Sequence, residues 1–154
     1  HLALVAALGT ILMLVTSYFF EELFASFRHL KATLLDLLGP ISKPTAAYLA
    51  IASAVGEEVL FRGAIQPYAG LIFTSLLFGL LHLGHDGRIS SWSLWAVISG
   101  LILGVMYQQT GSLWPCIVAH AAVNWVALLR LRKTYREWQK TQSRSVCTRD
   151  LSPP

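Results

Sequence analysis

Three small groups of side chains in this sequence could do chemistry: Glu57 and Glu58 with Arg62, His82 one turn after Phe78, and His120 one turn before Asn124. Each group interrupts an apolar run that has no packing need for it. Around the two acids the chain reads Tyr48-Leu-Ala-Ile-Ala-Ser-Ala-Val and then Val-Leu-Phe. On a helix, residues four apart share a face, so Glu58 is expected to pair with Arg62, and His120 is expected to lie beside Asn124. Successive residues point about 100° apart, so Glu57 cannot use the same partner as Glu58. It needs a histidine or a water from elsewhere. A carboxylate next to an imidazole can deprotonate a water. A second imidazole with an amide can donate hydrogen bonds to the oxyanion formed when that water attacks an amide carbonyl.

Other chemistries use the same residues or their neighbours. No serine stands beside a histidine on these faces, and Ser53, Ser75 and Ser99 read as small packing residues. Cys116 lies four residues before His120 and could face it, but nothing electropositive is at hand to activate a Cys–His nucleophile. Glu57, His82 and His120 could hold zinc with an open position, and spacing alone does not separate this from a metal-free water. Each feature also has an ordinary reading. A lone membrane histidine, His85 for instance, often just bonds to the next helix, and Glu58 with Arg62 would suit a soluble helix.

The elements that must position these groups follow from composition. The chain has 154 residues, 55% hydrophobic and 13% charged, with a mean hydropathy of +0.56. Soluble domains carry about 25% charged residues. The expected class is therefore all-α, a polytopic transmembrane helical bundle of about five spans with one interfacial amphipathic helix. In that setting an ionisable side chain costs several kcal/mol and is functional by default. The chain begins at His1 rather than Met, which leaves room for upstream spans. Cys116 and Cys147 have neither metal-type spacing nor the look of a disulfide framework. The terminal Leu151-Ser-Pro-Pro is not a prenylation box.

Residues 2–20 are uncharged and long enough for a bilayer core of about 30 Å. Residues 21–43 mix Glu21, Glu22, Arg28, His29, Lys31, Asp36 and Lys43 with leucines, the pattern of an interfacial helix. Pro44 opens the second span, which carries the acids to about Tyr68. Pro67 and Gly70 punctuate the chain before a shorter third span over 71–84. His85 and Asp86 read as loop residues near the membrane surface, in the turn Gly84-His-Asp-Gly87. The fourth span runs over 91–109, and the fifth from Leu113 to about Arg130, with Pro115 in its first turn. The tail is expected to be helical at first and then disordered. This divides the chain into 1–43 (first span and interfacial helix), a helical core at 44–130 and a basic tail at 131–154.

Five spans put Arg28, Lys31, Lys43, Arg88 and the seven basic residues from Arg130 onward on one side, eleven of the twelve Lys and Arg. The positive-inside rule makes that side cytoplasmic-equivalent. The net charge of +4 is then an orientation signal and a partner for anionic lipid, not a nucleic-acid surface.

Taken in order, Glu57-Glu58-x-x-x-Arg62, Phe78-x-x-x-His82 and His120-x-x-x-Asn124 resemble the motifs of the CPBP intramembrane proteases. That family takes in the type II CaaX prenyl endopeptidases, the bacteriocin-processing and self-immunity proteins and the Abi proteins. Gly111-Ser-Leu-Trp-Pro-Cys-Ile-Val-Ala-His120 also looks like the family's lead-in to its last motif, and the resemblance covers about 44–130. It implies a glutamic-type endopeptidase acting on a membrane-associated, possibly prenylated, protein or peptide. Glu57 would be the base, with His82 holding the same water. Glu58 and Arg62 would orient the site, His120 and Asn124 would form the oxyanion hole, and Phe78 would pack alongside. The family was once described as metalloproteases. The resemblance now implies no metal and no other cofactor, zinc being the disfavoured alternative.

Two other functions use the same residues: a non-catalytic membrane scaffold or chaperone of this fold, and a proton or cation transporter. Five spans without a repeat suit alternating access poorly. One physical tension stands in the span assignment. Glu57 is about 20 Å into its helix at 1.5 Å per residue, whereas His82 is close to the basic end of the third span. Sharing a water would require the second helix to tilt or begin later, or the third to extend past Gly84.

Overall fold

The computed structural model describes residues 1–24, 33, 38–84 and 87–149. The described chain is all helical: α1 (Leu2–Leu23), α2 (Lys43–Glu58), a π-helical segment (Val59–Ile65), α3 (Gln66–Leu81), α4 (Ser91–Thr110) and α5 (Leu113–Arg149). Most of the expected interfacial helix in 21–43, together with His85, Asp86 and the end of the tail, lies outside the described residues.

Local sequence sets the helix ends. Ser42 caps α2 by accepting from the Thr45 amide at 3.1 Å, with Pro44 in the first turn, where its missing N–H does no harm. Ser93 Oγ accepts from the Ser90 amide at 3.2 Å at the start of α4, and Gly111 closes that helix in the left-handed region.

The distribution of polarity is the reverse of a soluble core. Glu58 and Arg62 are completely buried, while Leu4, Leu8, Ile11 and Val15 on α1 and Ile72, Leu76 and Leu80 on α3 face outward. Large continuous apolar surfaces around a buried ion pair are what a lipid environment permits. Four helical stretches are long and apolar enough to cross a membrane: Leu2–Leu23, Lys43–Leu81, Ser91–Thr110 and Leu113–Thr141. The chain is an integral membrane protein.

Four stretches stand where about five spans were expected, because the second and third are joined in one helical run, Lys43–Leu81. That run is kinked at Gly70, whose φ of 79° and ψ of 169° are not helical and are open to a residue without a β-carbon. Register against α4 shows that the chain turns back there. Arg62 and Gln66 bond to the carbonyls of Gly100 and Gly104, at 2.9 Å each. Leu71 then lies against Gly104, Ser75 against Gly100 and Gly79 against Val97 and Ser93. The segment before Gly70 therefore runs parallel to α4, and α3 runs antiparallel to it. Contact at Gly79 is close enough that a β-carbon there would sit 2.8 Å from the Ser93 carbonyl oxygen.

α5 packs on α2 and α1. Arg132 donates to the Ile41 carbonyl at 3.1 Å, and Arg130 stands 3.9 Å from Glu21. The end of α1, the middle of α5 and the start of α2 thus gather at one end of the bundle. α5 does not stop near Arg130; it is helical through Arg149, so the expected helical start of the tail continues the fifth span without a break. A helix that leaves the bundle with polar residues on every face can continue into water without burying anything.

Candidate functional site

The site forms where the second helical run, the end of α3, α4 and α5 meet. Glu58 sits at the last turn of α2, just before the π-helical segment that carries Phe61 and Arg62, both buried. Such segments interrupt α-helices mostly at functional places. Glu58 Oε1 accepts from Arg62 Nη1 at 3.1 Å and from His120 Nδ1 at 2.8 Å. Arg62 Nη2 donates onward to Gly100. The expected Glu58–Arg62 pair is present, with His120 as a third member from a different helix.

Glu57 points the other way. Its Oε2 is 3.8 Å from His82 Nε2 and 3.8 Å from His120 Nε2. These gaps are too long for hydrogen bonds, and Glu57 Oε2 has no hydrogen-bond partner among the described residues. An oxygen about 2.8 Å from all three atoms would stand at the apex above them.

The histidine tautomers follow from their partners. His82 Nδ1 is 2.7 Å from the Phe78 carbonyl oxygen, and His120 Nδ1 faces a carboxylate oxygen. Neither partner can donate, so both Nδ1 atoms carry hydrogen. Both Nε2 atoms are left to face Glu57. Ser93 Oγ donates to the His82 carbonyl at 2.7 Å and fixes the end of α3 to the start of α4.

Phe78 packs where it was expected. Its ring is 4.4 Å from that of His82 and edge-on to His120 at 6.1 Å. The Arg62 guanidinium lies 5.0 Å over its face, a cation–π contact out of water. Asn124 lines the same cavity but does not touch the acids. Its Nδ2 donates to Ser53 Oγ at 3.0 Å, and Ser53 in turn bonds to the Ala50 carbonyl. All six expected site residues, and Phe78, thus come together. Cys116 does not join them: it is buried and donates to the Leu103 carbonyl at 3.2 Å.

The tension in depth is not resolved by a later start of α2, which begins at Lys43, or by an extension past Gly84, since α3 ends at Leu81. Instead the end of α3 meets the last turn of α2, where Glu57 lies. The stretch of α5 from His120, at the acids, to Arg132, at the start of α2, is about 18 Å of helix. This leaves His82 level with Glu57.

The cavity above the acids has a volume of about 180 Å³ and is lined by polar Ser53, Glu57, His82, Ser99, His120 and Asn124 and by apolar residues that include Met13, Trp95 and Leu103. Sequence spacing could not bring in Met13, which comes from α1. Ser53 and Ser99, read as packing residues, line the cavity as well, and only contacts across helices reveal it. No group of three His, Cys, Asp or Glu side chains among the described residues is arranged to hold a metal ion.

Residues 39–126 match the model of the family described as type II CAAX prenyl endopeptidase Rce1-like. The chain belongs to that family. The matched stretch runs from just before α2 to within α5 and contains every expected site residue. α1 lies outside it. The chain is also 34% identical over 93 residues to a Bacillus subtilis (strain 168) protein named "Uncharacterized protein YpbD", covering 59% of this chain and 48% of that one. The chain thus spans about half the length of the curated relative it matches. No solved structure matches it.

Proposed function

We propose that this protein is an intramembrane endopeptidase of glutamic type, hydrolysing a peptide bond in a membrane-associated, possibly prenylated, protein or peptide. The observation that carries the reading is the convergence of Glu57 Oε2 with His82 Nε2 and His120 Nε2, 3.8 Å apart, at the edge of a cavity. Family membership supports the same class of reaction.

A water at that point donates to Glu57 and to His82 Nε2, which leaves its lone pair free to attack. As the water oxygen bonds to the substrate carbonyl carbon, its proton passes to Glu57. The oxyanion then accepts from Asn124 Nδ2–H and from His120 Nε2–H, whose ring Glu58 orients through Nδ1. Collapse breaks the C–N bond, and the proton held by Glu57 goes to the leaving amine.

The protein's own side chains activate the water, and the reaction uses no metal or other cofactor, so the rate should be unchanged by a chelator. The end of the bundle holding Glu21, Ile41 and Arg130 is the cytoplasmic-equivalent side, and the basic extension of α5 lies against anionic lipid. The test is mass spectrometry of membrane-protein termini in cells carrying wild type or Glu57→Ala. New termini present only with wild type are expected. Identical terminal profiles would contradict the proposal and leave a scaffold role.

A further inference from the structure

The proposed hydrolysis uses only one wall of the cavity. Its mouth is formed by Glu57 and His82, whose side chains keep 30% and 24% of their surface exposed. Its far side is closed: Met13, Leu103, Trp95 and Ala96 are all buried there. Among them is Ser99, 2% exposed, whose Oγ has no hydrogen-bond partner among the described residues. A buried water wants about three polar partners, and a single hydroxyl does not meet that need. A mostly apolar floor, whose polar groups are the Ser99 hydroxyl and the Trp95 indole, behind groups aligned for attack on a carbonyl, is a place for part of a ligand.

Volume decides which part. The cavity measures about 180 Å³, and an apolar cavity of about 150 Å³ is known to hold one benzene molecule. One side chain of leucine to phenylalanine size fits; a farnesyl chain, far larger than a single ring, does not. We infer that the cavity is a side-chain pocket, taking one apolar side chain from the residue next to the scissile bond, with any isoprenoid held elsewhere. Met13 limits its depth. α1, which lies outside the family-matched stretch, would thereby set substrate specificity. This inference rests on the proposed hydrolysis for its orientation, since the bound residue's carbonyl is what the mouth presents to Glu57.

The test needs no turnover. The full chain carrying Glu57→Gln, in detergent, is titrated with the N-acetyl amides of alanine, leucine, phenylalanine and tryptophan, and binding is followed by ligand-observed NMR. The leucine and phenylalanine amides should bind roughly 10-fold or more tightly than those of alanine and tryptophan, the scale by which such pockets discriminate size. Adding Met13→Ala or, independently, Leu103→Ala should shift the optimum to the tryptophan amide, and farnesol should not displace the leucine amide. Thermal unfolding confirms that each variant is folded, and two variants on opposite helices guard against one that is not. Absence of a size preference, an optimum unmoved in both variants, or displacement by farnesol would overturn the pocket. Peptides varied at the same residue separate the two proposals. Cleavage by wild type with no side-chain ranking removes the pocket and leaves the hydrolysis. Ranked binding of the amides without cleavage of any peptide removes the hydrolysis and leaves the pocket.

Discussion

Glu58 and Glu57 are chain neighbours, yet the first is completely buried and the second keeps 30% of its side chain exposed. Around Glu58 the site is sealed. Arg62, His120 and the Gly100 carbonyl form a connected set of short bonds between three helices. Around Glu57 the site is open, and the nearest nitrogens stand off at 3.8 Å. One residue of helical rotation separates a carboxylate that holds the bundle together from one left free for chemistry. His120 belongs to both halves, with Nδ1 on Glu58 and Nε2 facing Glu57. The sealed half can thus fix the orientation of a group that the open half uses.

This contrast can be broken in graded ways. The largest effect should come from Arg62→Ala, which leaves Glu58 buried with His120 as its one remaining partner. Breaking a buried pair by removing one member costs about 3–5 kcal/mol, seen as a large loss of stability in denaturant or thermal unfolding. Replacing both members, as in Glu58→Leu with Arg62→Met, should recover most of that stability and none of the activity, because His120 loses its anchor. Asn124→Ala acts on the open half alone. It should lower kcat by about 10²–10³, as loss of one oxyanion donor does, with unfolding little changed.

Gly79→Ala should cost about 1–3 kcal/mol by overpacking against α4, since its β-carbon would meet Val97 and the Ser93 carbonyl. It should also reduce cleavage by moving His82 off Glu57 while the Glu58–Arg62 pair stays intact. The smallest change is expected from Ser53→Ala. Losing one hydrogen bond of about 0.5–1.5 kcal/mol loosens Asn124 and should lower kcat a few-fold at unchanged KM.

Much of the sealed half was legible in the sequence because it is local. Glu58 and Arg62 are four residues apart, and that spacing alone predicts their pair. The third member was not legible, since His120 is 62 positions from Glu58 and was expected only as an oxyanion donor. For Glu57 the logic ran by elimination: a membrane carboxylate with no local partner points to another helix, and two histidines stand 3.8 Å from it, too far to bond directly. Ser53 and Ser99 were misread because serine in a membrane helix packs equally well as a small residue; only cross-helix geometry shows that they line a cavity. Met13 carries no signal at all, as methionine in an apolar run is ordinary. Gly70 was recognised as a break, and its positive φ lets the chain turn back there with helix on both sides, so two expected spans lie in one kinked run and four apolar stretches stand instead of five.

The most direct test places the two neighbours side by side. Glu57→Gln and Glu58→Gln are each reconstituted in liposomes, and single-turnover cleavage of a membrane substrate is measured together with the unfolding midpoint. The account predicts that Glu57→Gln keeps the wild-type midpoint and loses about 10²–10⁴ in rate, while Glu58→Gln lowers the midpoint itself. Wild-type cleavage by Glu57→Gln would contradict it.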